Sequence, residues 1–340
     1  MQEAAPSRAP GRAADSERPA VQVLDLEHVY GDRQALRGVS FDVPRGEIFA
    51  LLGPNGGGKT TLFRVLSTLL PVQKGTVRVL GADLARERDA VRRQLGVVFQ
   101  APALDRKLTV RENLRHQGHL YGLRGKDLEA RIDAGLERFG LADRRNELVE
   151  RLSGGLRRRV EIAKGLRHRP ELLILDEPST GLDPGARRDL WRVLQEIRSA
   201  DRVTVLLTSH ILEEVERSDR VAILDRGRIV AVGSPGALEA ELGGDVISIT
   251  CDDPQALSRA IAARFGVETV ALERTVRIER AQSADLVREL LDAFRGDIEA
   301  VTLSKPTLED VFIHVTGHGF WSAGNSGTEI STESHTEERA

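Results

Sequence analysis

The sequence predicts an α/β fold with a mainly parallel sheet, followed by a smaller α+β domain. Apolar runs of strand length, such as "IFALL" and "LLILD", alternate with helix-like segments, which is the pattern of βαβ units. Later the order becomes strand-helix-strand-strand-helix-strand, the plan of a split βαβ, or ferredoxin-like, domain. A chain of 340 residues, 40% of them hydrophobic, is long enough for two domains of ordinary size.

The domain boundaries follow from these patterns. Residues 21–240 form the first predicted domain, with a helical subdomain at about 101–168, and residues 244–317 form the second. Residues 1–20 and 318–340 are polar or rich in Ala, Pro and Ser without periodicity, so we expect disordered tails.

The second domain is expected to close with a helix at "PTLEDVFIHV". This helix places four apolar residues on one face, which favours packing in a core and leaves a dimer contact open as the alternative. These residues are Leu308, Val311, Phe312 and Val315.

Composition narrows the function classes. A formal net charge of −3 gives no overall basic field for nucleic acid or an anionic membrane. No apolar run approaches the roughly 20 residues that cross a bilayer, so work at a membrane would need a second chain. The single cysteine, Cys251, is expected to be a small half-buried residue in a reducing compartment.

A glycine-rich stretch, "GPNGGGKTT", directly follows the strand "IFALL" and precedes a helical run. This context and the spacing G-x-x-x-x-G-K-T predict a loop whose backbone amides bind phosphates. Lys59 would reach the β- and γ-phosphates, and the Thr60 hydroxyl would bind Mg²⁺. The predicted nucleotide-binding residues here are Gly53, Pro54, Asn55, Gly56, Gly57, Gly58, Lys59, Thr60 and Thr61.

A second strand, "LLILD", delivers two carboxylates to its carboxyl end, Asp176 and Glu177. Ligands of open parallel sheets bind at that end. Asp176 is expected to hold Mg²⁺ and Glu177 to polarise a water for attack on the γ-phosphate. Neighbours on a strand point to opposite faces, so we expect the two carboxylates to divide these roles.

Because of this glycine-rich loop and acidic strand end, residues Val21 to Gly233 resemble the ATP-binding subunit of ATP-binding cassette (ABC) transporters. The resemblance implies a P-loop NTPase fold, ATP and Mg²⁺ as ligands, and ATPase activity. Within that family's pattern, Tyr30 matches the aromatic that stacks on adenine, and Gln100 a glutamine with catalytic and metal-binding roles. Asp183 matches an aspartate of the dimer interface, and His210 a catalytic histidine.

The segment "LSGGL" matches the family signature. The resemblance implies a homodimer in which Ser153, Gly154 and Gly155 of one copy bind the ATP held by the other, with Ser153 at the dimer interface. Leu156 stands where glutamine is common in the family. We expect activity to tolerate this difference, and a Leu156→Gln variant to keep or raise turnover. For the arginines that follow, 157–159, a solvated helical face is favoured over a contact with nucleotide or partner.

The ending "KPTLEDVF" and the segment after Gln100 resemble the ATPase subunits of drug and antibiotic exporters of the daunorubicin-resistance type. The resemblance implies efflux of a drug-like compound through a separate membrane permease, with the ATPase peripheral on the cytoplasmic side. The transported compound would contact the permease, and no nucleic acid is expected. Two alternatives stay open: a soluble ABC ATPase acting on ribosomes or DNA, and an importer ATPase with a regulatory C-terminal domain.

Overall fold

The computed structural model describes residues 18–280 and 283–320. The strands in chain order are β1 (Val21–Tyr30), β2 (Arg33–Val43), β3 (Ile48–Leu52), β4 (Lys74–Val79), β5 (Ala82–Asp83), β6 (Leu95–Val98), β7 (Leu172–Asp176), β8 (Thr204–Ser209), β9 (Arg220–Asp225), β10 (Arg228–Gly233), β11 (Asp245–Thr250), β12 (Val270–Leu272), β13 (Thr275–Arg280) and β14 (Ala300–Ser304). The α-helices are α1 (Lys59–Leu66), α2 (Arg88–Gln94), α3 (Val110–Leu120), α4 (Gly125–Arg138), α5 (Gly154–Gly165), α6 (Pro184–Asp201), α7 (Leu212–Val215), α8 (Pro235–Glu241), α9 (Pro254–Phe265), α10 (Ser283–Ala293) and α11 (Leu308–Thr316).

The main sheet has the order β10-β9-β3-β8-β7-β6, with all neighbours parallel except β10, which is antiparallel to β9. Its central strands β3 and β7 are buried along their whole length, as their apolar sequences predict. The register pairs Leu52 with Ser209, and Asp176 with Thr208. The carboxyl ends of β3, β7 and β8 therefore meet at one edge.

A separate antiparallel sheet has the order β2-β1-β4-β5. The sequence predicts one mainly parallel sheet for this domain and does not separate the strands β1 and β4 from it. Their inward residues, including Val21 and Val77, instead share a core cluster with Phe49 and Leu62. Phe41 stacks on Phe49 with ring centroids 5.6 Å apart, so this second sheet covers β3 and α1 from one side.

Helices α3 to α5 lie between β6 and β7, where a helical subdomain is expected. Thr109 and Glu112 form a reciprocal capping box that begins α3. Helix α5 ends at Gly165, ahead of Pro170, at a glycine that weakens the helix.

The third sheet has the order β12-β13-β11-β14, with every neighbouring pair antiparallel. Helices α9 and α10 contribute Leu257, Ile261 and Leu290 to a core that also contains Ile247 and Ile249 of β11. The observed element order from β11 to β14 is the predicted one. Cys251 is 1% exposed, more buried than expected, and this burial raises the pKa of its thiol.

The last helix, α11, packs away from that third core. Leu308, Val311 and Phe312 are buried, as their common face predicts, but they join the main core cluster that includes Leu238 of α8. Val315 is 41% exposed, so its expected place on the buried face is wrong.

The packed chain also extends beyond both predicted tail boundaries. Ala20 donates its N–H to the Val43 carbonyl, and Phe320 is 1% exposed against Phe312. Residues 1–17 and 321–340 of the predicted tails lie outside the described residues. In the described part of the chain, no helix combines the length and apolar character that a membrane crossing requires.

Candidate nucleotide site

A cavity of about 300 Å³ lies where β3 and β7 end and α1 begins. The loop Pro54–Lys59 forms one wall of this cavity, with Gly57 the loop residue that does not line it. Tyr30, Thr60, Thr61 and Glu177 also line it. The structure thus brings residues far apart in sequence to the edge of the sheet where ligands bind in this class of fold.

The loop needs glycine at two of its positions for steric reasons. A Cβ on Gly53 would lie 2.2 Å from the Leu224 carbonyl oxygen. Gly58 has φ +110°, and a Cβ there would lie 2.9 Å from the Ala35 carbonyl oxygen. Gly58 is also the N-cap of α1 and provides no side-chain cap, so the first amides of this helix are left for an anion.

Lys59 is buried, with 4% of its surface exposed. Its Nζ donates to the Gly53 carbonyl at 2.7 Å and to the Pro54 carbonyl at 3.1 Å. Burial lowers the pKa of this ammonium group, while Glu177 and Asp176 oppose the shift. Lys59 therefore presents a positive charge inside the phosphate loop, held by the loop's own carbonyls.

The two carboxylates after β7 differ in environment. Asp176 is 6% exposed and accepts a hydrogen bond from the Thr208 hydroxyl at 2.7 Å, and burial raises the pKa of its carboxyl group. Glu177 has φ +42°, a left-handed conformation that is uncommon outside glycine. The expected alternation along a strand is therefore wrong, because β7 ends at Asp176 and Glu177 belongs to the turn.

The predicted catalytic residues lie together around the Glu177 carboxylate. Gln100 donates to Oε2 at 3.2 Å, and His210 Nδ1 lies 3.3 Å from Oε1. Lys59 Nζ lies 3.8 Å from Oε1. Thr180 donates to Oε2 at 3.2 Å; this contact was missed, and its only sequence signal is a hydroxyl three residues after Glu177.

Tyr30 stands at the mouth of the cavity with 40% of its surface exposed. Its ring packs edge-on to His28, with centroids 4.7 Å apart. The Tyr30 ring thus contacts His28 and still stays accessible, a suitable arrangement for stacking on a flat base.

The signature turn lies elsewhere on the chain. Ser153 is exposed and caps α5, its hydroxyl accepting from the Leu156 amide at 3.4 Å. Ser153, Gly154 and Gly155 do not line the nucleotide cavity. Asp183 is exposed and caps α6 by accepting from the Ala186 amide at 2.9 Å, and this hydrogen bond lowers the pKa of its carboxyl group.

The arginines after the signature are not a solvated face, because Arg158 is only 7% exposed. It pairs with Glu161 at 2.8 Å and donates to the Phe99 carbonyl at 2.9 Å. Arg159 pairs with Asp189 of α6 at 2.5 Å. The Arg158–Glu161 pair was missed by the sequence analysis, although its i,i+3 spacing on a helix is a signal for it.

Comparisons with known proteins identify the family of this chain. Residues 36–180 match the family model described as ABC transporter. The daunorubicin resistance ATP-binding protein DrrA3 of Streptomyces coeruleorubidus is 41% identical over 88% of this chain and 96% of its own. The linearmycin resistance ATP-binding protein LnrL of Bacillus subtilis is 35% identical over 87% of this chain and 98% of its own.

A solved structure of cbiO1 from Clostridium perfringens, part of the ABC transporter complex cbiONQ, is similar with a TM-score of 0.62. It is 28% identical and covers 74% of this chain and 97% of its own. The relatives favour the export interpretation over the ribosome, DNA and importer alternatives. The chain belongs to the ABC transporter family, and it is an ATP-binding and ATP-hydrolysing subunit with a P-loop NTPase fold.

Proposed function

We propose that two copies of this ATPase hydrolyse ATP at composite sites and thereby power efflux of a drug-like compound through a separate permease. The observation that carries the proposal is the cluster around Glu177, where Gln100, His210 and Lys59 meet one carboxylate at the edge of the phosphate loop. Its residue roles are those that the sequence resemblance implies.

The carboxylate of Glu177 is the group that activates water. As an anion it accepts a hydrogen bond from the attacking water and aligns it with the γ-phosphate, which raises its nucleophilicity. Gln100 and Thr180 hold one carboxylate oxygen, and His210 lies beside the other. These contacts fix the direction of the carboxylate before ATP arrives, which lowers the cost of ordering it during the reaction.

The donor set also fits Mg²⁺, which prefers oxygen ligands and usually combines one or two carboxylates with phosphates and water. Asp176 offers a buried carboxylate, Thr60 an exposed hydroxyl in the cavity, and Gln100 a side-chain amide oxygen. When bound, Mg²⁺ would neutralise charge that develops on the phosphates. Among the described residues no group of three His, Cys, Asp or Glu side chains could hold a metal by itself, which fits an ion bound together with ATP.

The exposed signature turn supplies the second half of each site. The amides of Gly154 and Gly155, at the beginning of α5, and the Ser153 hydroxyl are available to a second copy because they do not line this chain's own cavity. Amides at a helix N-terminus stabilise phosphate. A head-to-tail pair would therefore place the Ser153 turn of one copy over the Gly53–Thr61 loop of the other, with Asp183 near the contact.

A path from this site to the permease begins at Gln100. While its side chain contacts Glu177, its carbonyl accepts from Arg158 at 3.4 Å. Arg158 pairs with Glu161, which accepts from the Ala103 amide at 2.8 Å. A movement of Gln100 on ATP binding would therefore be transmitted to the segment from Ala101 to Leu123.

That segment borders a groove of about 420 Å³ whose walls are partly apolar and aromatic and also include Arg92, Glu161 and Lys164. Tyr121 stacks on His168 with ring centroids 3.7 Å apart, and Leu69, at 57% exposure, also lines the groove. A groove with exposed apolar residues beside charged ones suits an amphipathic partner segment, and we assign it to a cytoplasmic segment of the permease. The compound itself would contact the permease, as the sequence resemblance implies.

A Glu177→Gln variant tests the catalytic assignment. It keeps the shape of the site but cannot accept the water's proton, so ATP hydrolysis should fall at least ~100-fold while ATP binding persists. Gel filtration with ATP and Mg²⁺ should then show a stable dimer. Glu216→Gln, on an exposed glutamate outside the cluster, is the matched control and should behave as wild type.

Retained hydrolysis in Glu177→Gln would refute the role of this carboxylate, and a monomer with bound ATP would refute the composite site. The export assignment needs a separate test, because it concerns the permease and not the second copy of this chain. Purification of the Glu177→Gln protein from membranes of its host should recover a polytopic membrane protein. Recovery of ribosomes or DNA instead would support the soluble alternative.

A further inference from the structure

A larger cavity, of about 620 Å³, lies at the opposite end of the main sheet from the nucleotide site. Its walls come from α4, from the end of α5, and from the residues that lead into β7 and β8. Six arginines line it, against three carboxylates, Asp127, Glu171 and Asp201. We call this space the arginine cavity.

Three of these arginines are matched by the three carboxylates. Arg45 pairs with Glu171 at 2.7 Å, and Arg131 pairs with Asp127 at 3.1 Å. Arg138 pairs with Asp201. These pairs lie at the rim and are partly exposed. Each carboxylate therefore offsets the charge of its own arginine and adds little negative charge for the other arginines.

The other three arginines, Arg167, Arg169 and Arg202, have no carboxylate within 4.0 Å in the described part of the chain. Arg169 and Arg202 are exposed at the cavity wall. The arginine cavity therefore has a formal surplus of three positive charges, none of which is neutralised by the protein.

Arg167 is the most informative of the three because it is 4% exposed. Its guanidinium lies against α4 at Gly135, where a Cβ would approach Nη2 to 2.6 Å. One nitrogen donates to the Arg131 carbonyl, but the buried Nε has no hydrogen-bond partner. Burial and, to a smaller extent, the charge of Arg131 lower the pKa of Arg167 to about 10.

A buried charge without a partner is costly, and the cavity that Arg167 lines is large enough for a small organic ligand. Guanidinium groups bind phosphate through paired hydrogen bonds. A ligand carrying two or three negative charges matches the surplus, whereas a monocarboxylate does not. Phe139, Leu166 and Pro170 supply an apolar part of the wall.

We propose that the arginine cavity binds a small phosphorylated molecule, with Arg167 as its buried anchor and Arg169 and Arg202 as outer contacts. Because the cavity is walled by α4 on one side and by the approaches to β7 and β8 on the other, such a ligand would tie the helical subdomain to the sheet. The proposal is independent of the export function, since it involves neither the nucleotide loop nor the permease groove.

Isothermal titration of the full chain with pyrophosphate tests this site, with saturating ADP and Mg²⁺ present to fill the nucleotide loop. We expect one additional site in the wild type, weakened about tenfold or more in Arg167→Gln and about threefold or more in Arg202→Ala. Arg78→Ala, an exposed arginine of β4, is the matched control and should bind as wild type. Arg202→Ala keeps the test valid if Arg167→Gln does not fold, since its side chain is exposed.

Separate titrations with inorganic phosphate and with citrate test which class of anion the cavity prefers. Weaker binding of both than of pyrophosphate supports a phosphorylated molecule with more than one anionic group. Tighter binding of citrate would overturn the phosphate assignment in favour of a polycarboxylate. Absence of an additional site in the wild type, or equal binding by Arg202→Ala and Arg78→Ala, would overturn the cavity as a binding site.

Discussion

The two glycine-rich turns of this protein begin helices in different ways. Helix α1 follows Gly58, which provides no side-chain cap, and its first residue, Lys59, is buried in the loop. Helix α5 follows Ser153, whose hydroxyl already accepts a hydrogen bond from the helix, and the turn is exposed. The first turn is therefore suited to enclosing a phosphate within one chain, while in the proposed dimer the second would present donors to the other copy.

Removing the charge from the enclosed turn tests whether this turn binds the phosphates. Lys59→Ala leaves the loop backbone but deletes the cation that would stabilise the β- and γ-phosphates, so ATP hydrolysis should fall at least ~100-fold. Phosphate release measured at saturating ATP checks this. Lys74→Ala, on an exposed lysine that pairs with Glu27, is the control, and near wild-type hydrolysis by Lys59→Ala would contradict the loop assignment.

A mixture of two inactive variants tests whether the exposed turn acts on a partner. Ser153→Arg should block the signature side of a site, as Lys59→Ala blocks the loop side. Dimers containing one copy of each would have one doubly altered site and one intact site. An equal mixture should therefore recover about a quarter of the wild-type sites if the copies pair at random.

The readout is hydrolysis by the mixture compared with each variant alone. Recovery requires that the two turns of one site come from different chains. If the mixture is no more active than its components, both turns act within one chain and the head-to-tail arrangement is wrong. Wild type mixed with Lys59→Ala controls for subunit exchange.

The sequence predicted more of the nucleotide site than of the sheet architecture around it. Gly53 to Thr61 and Asp176 depend on local spacing within a strand-turn-helix pattern, and the structure places them at one edge as expected. By contrast, the division of β1 and β3 between two sheets depends on hydrogen-bond partners far apart in sequence, β4 for β1 and β8 for β3. Local apolar periodicity does not specify such partners.

The same dependence on contacts between distant residues explains why the sequence did not predict two features outside the nucleotide loop. Arg158 follows the signature in a run of arginines that is typical of a solvated helix face, yet it is buried because Phe99 and Glu161 provide partners for it. The last helix, α11, has the predicted apolar face, but its sequence did not show that Leu238 of the first domain would cover it. Both features depend on which surfaces meet in the folded chain.

The smallest expected effect concerns Leu156, the residue that distinguishes the exposed turn from the common family signature. Its side chain packs against the main core cluster, so it contributes to stability as well as to the turn. Leu156→Gln should therefore lower the free energy of unfolding by about 1 kcal/mol, since a partly buried apolar side chain is replaced by an amide. This differs from the tolerance expected from sequence, where only the missing hydrogen-bond donor was considered.

Urea denaturation at fixed nucleotide concentration measures this change, with Leu156→Met as the control of similar volume, which should stay within about 0.5 kcal/mol of wild type. Hydrolysis measured on the same samples separates packing from catalysis. If the glutamine variant unfolds at the wild-type midpoint, the packing role of Leu156 is wrong. If it is less stable but hydrolyses ATP faster per folded molecule, leucine at this position favours the stability of the exposed turn over its contact with the partner's nucleotide.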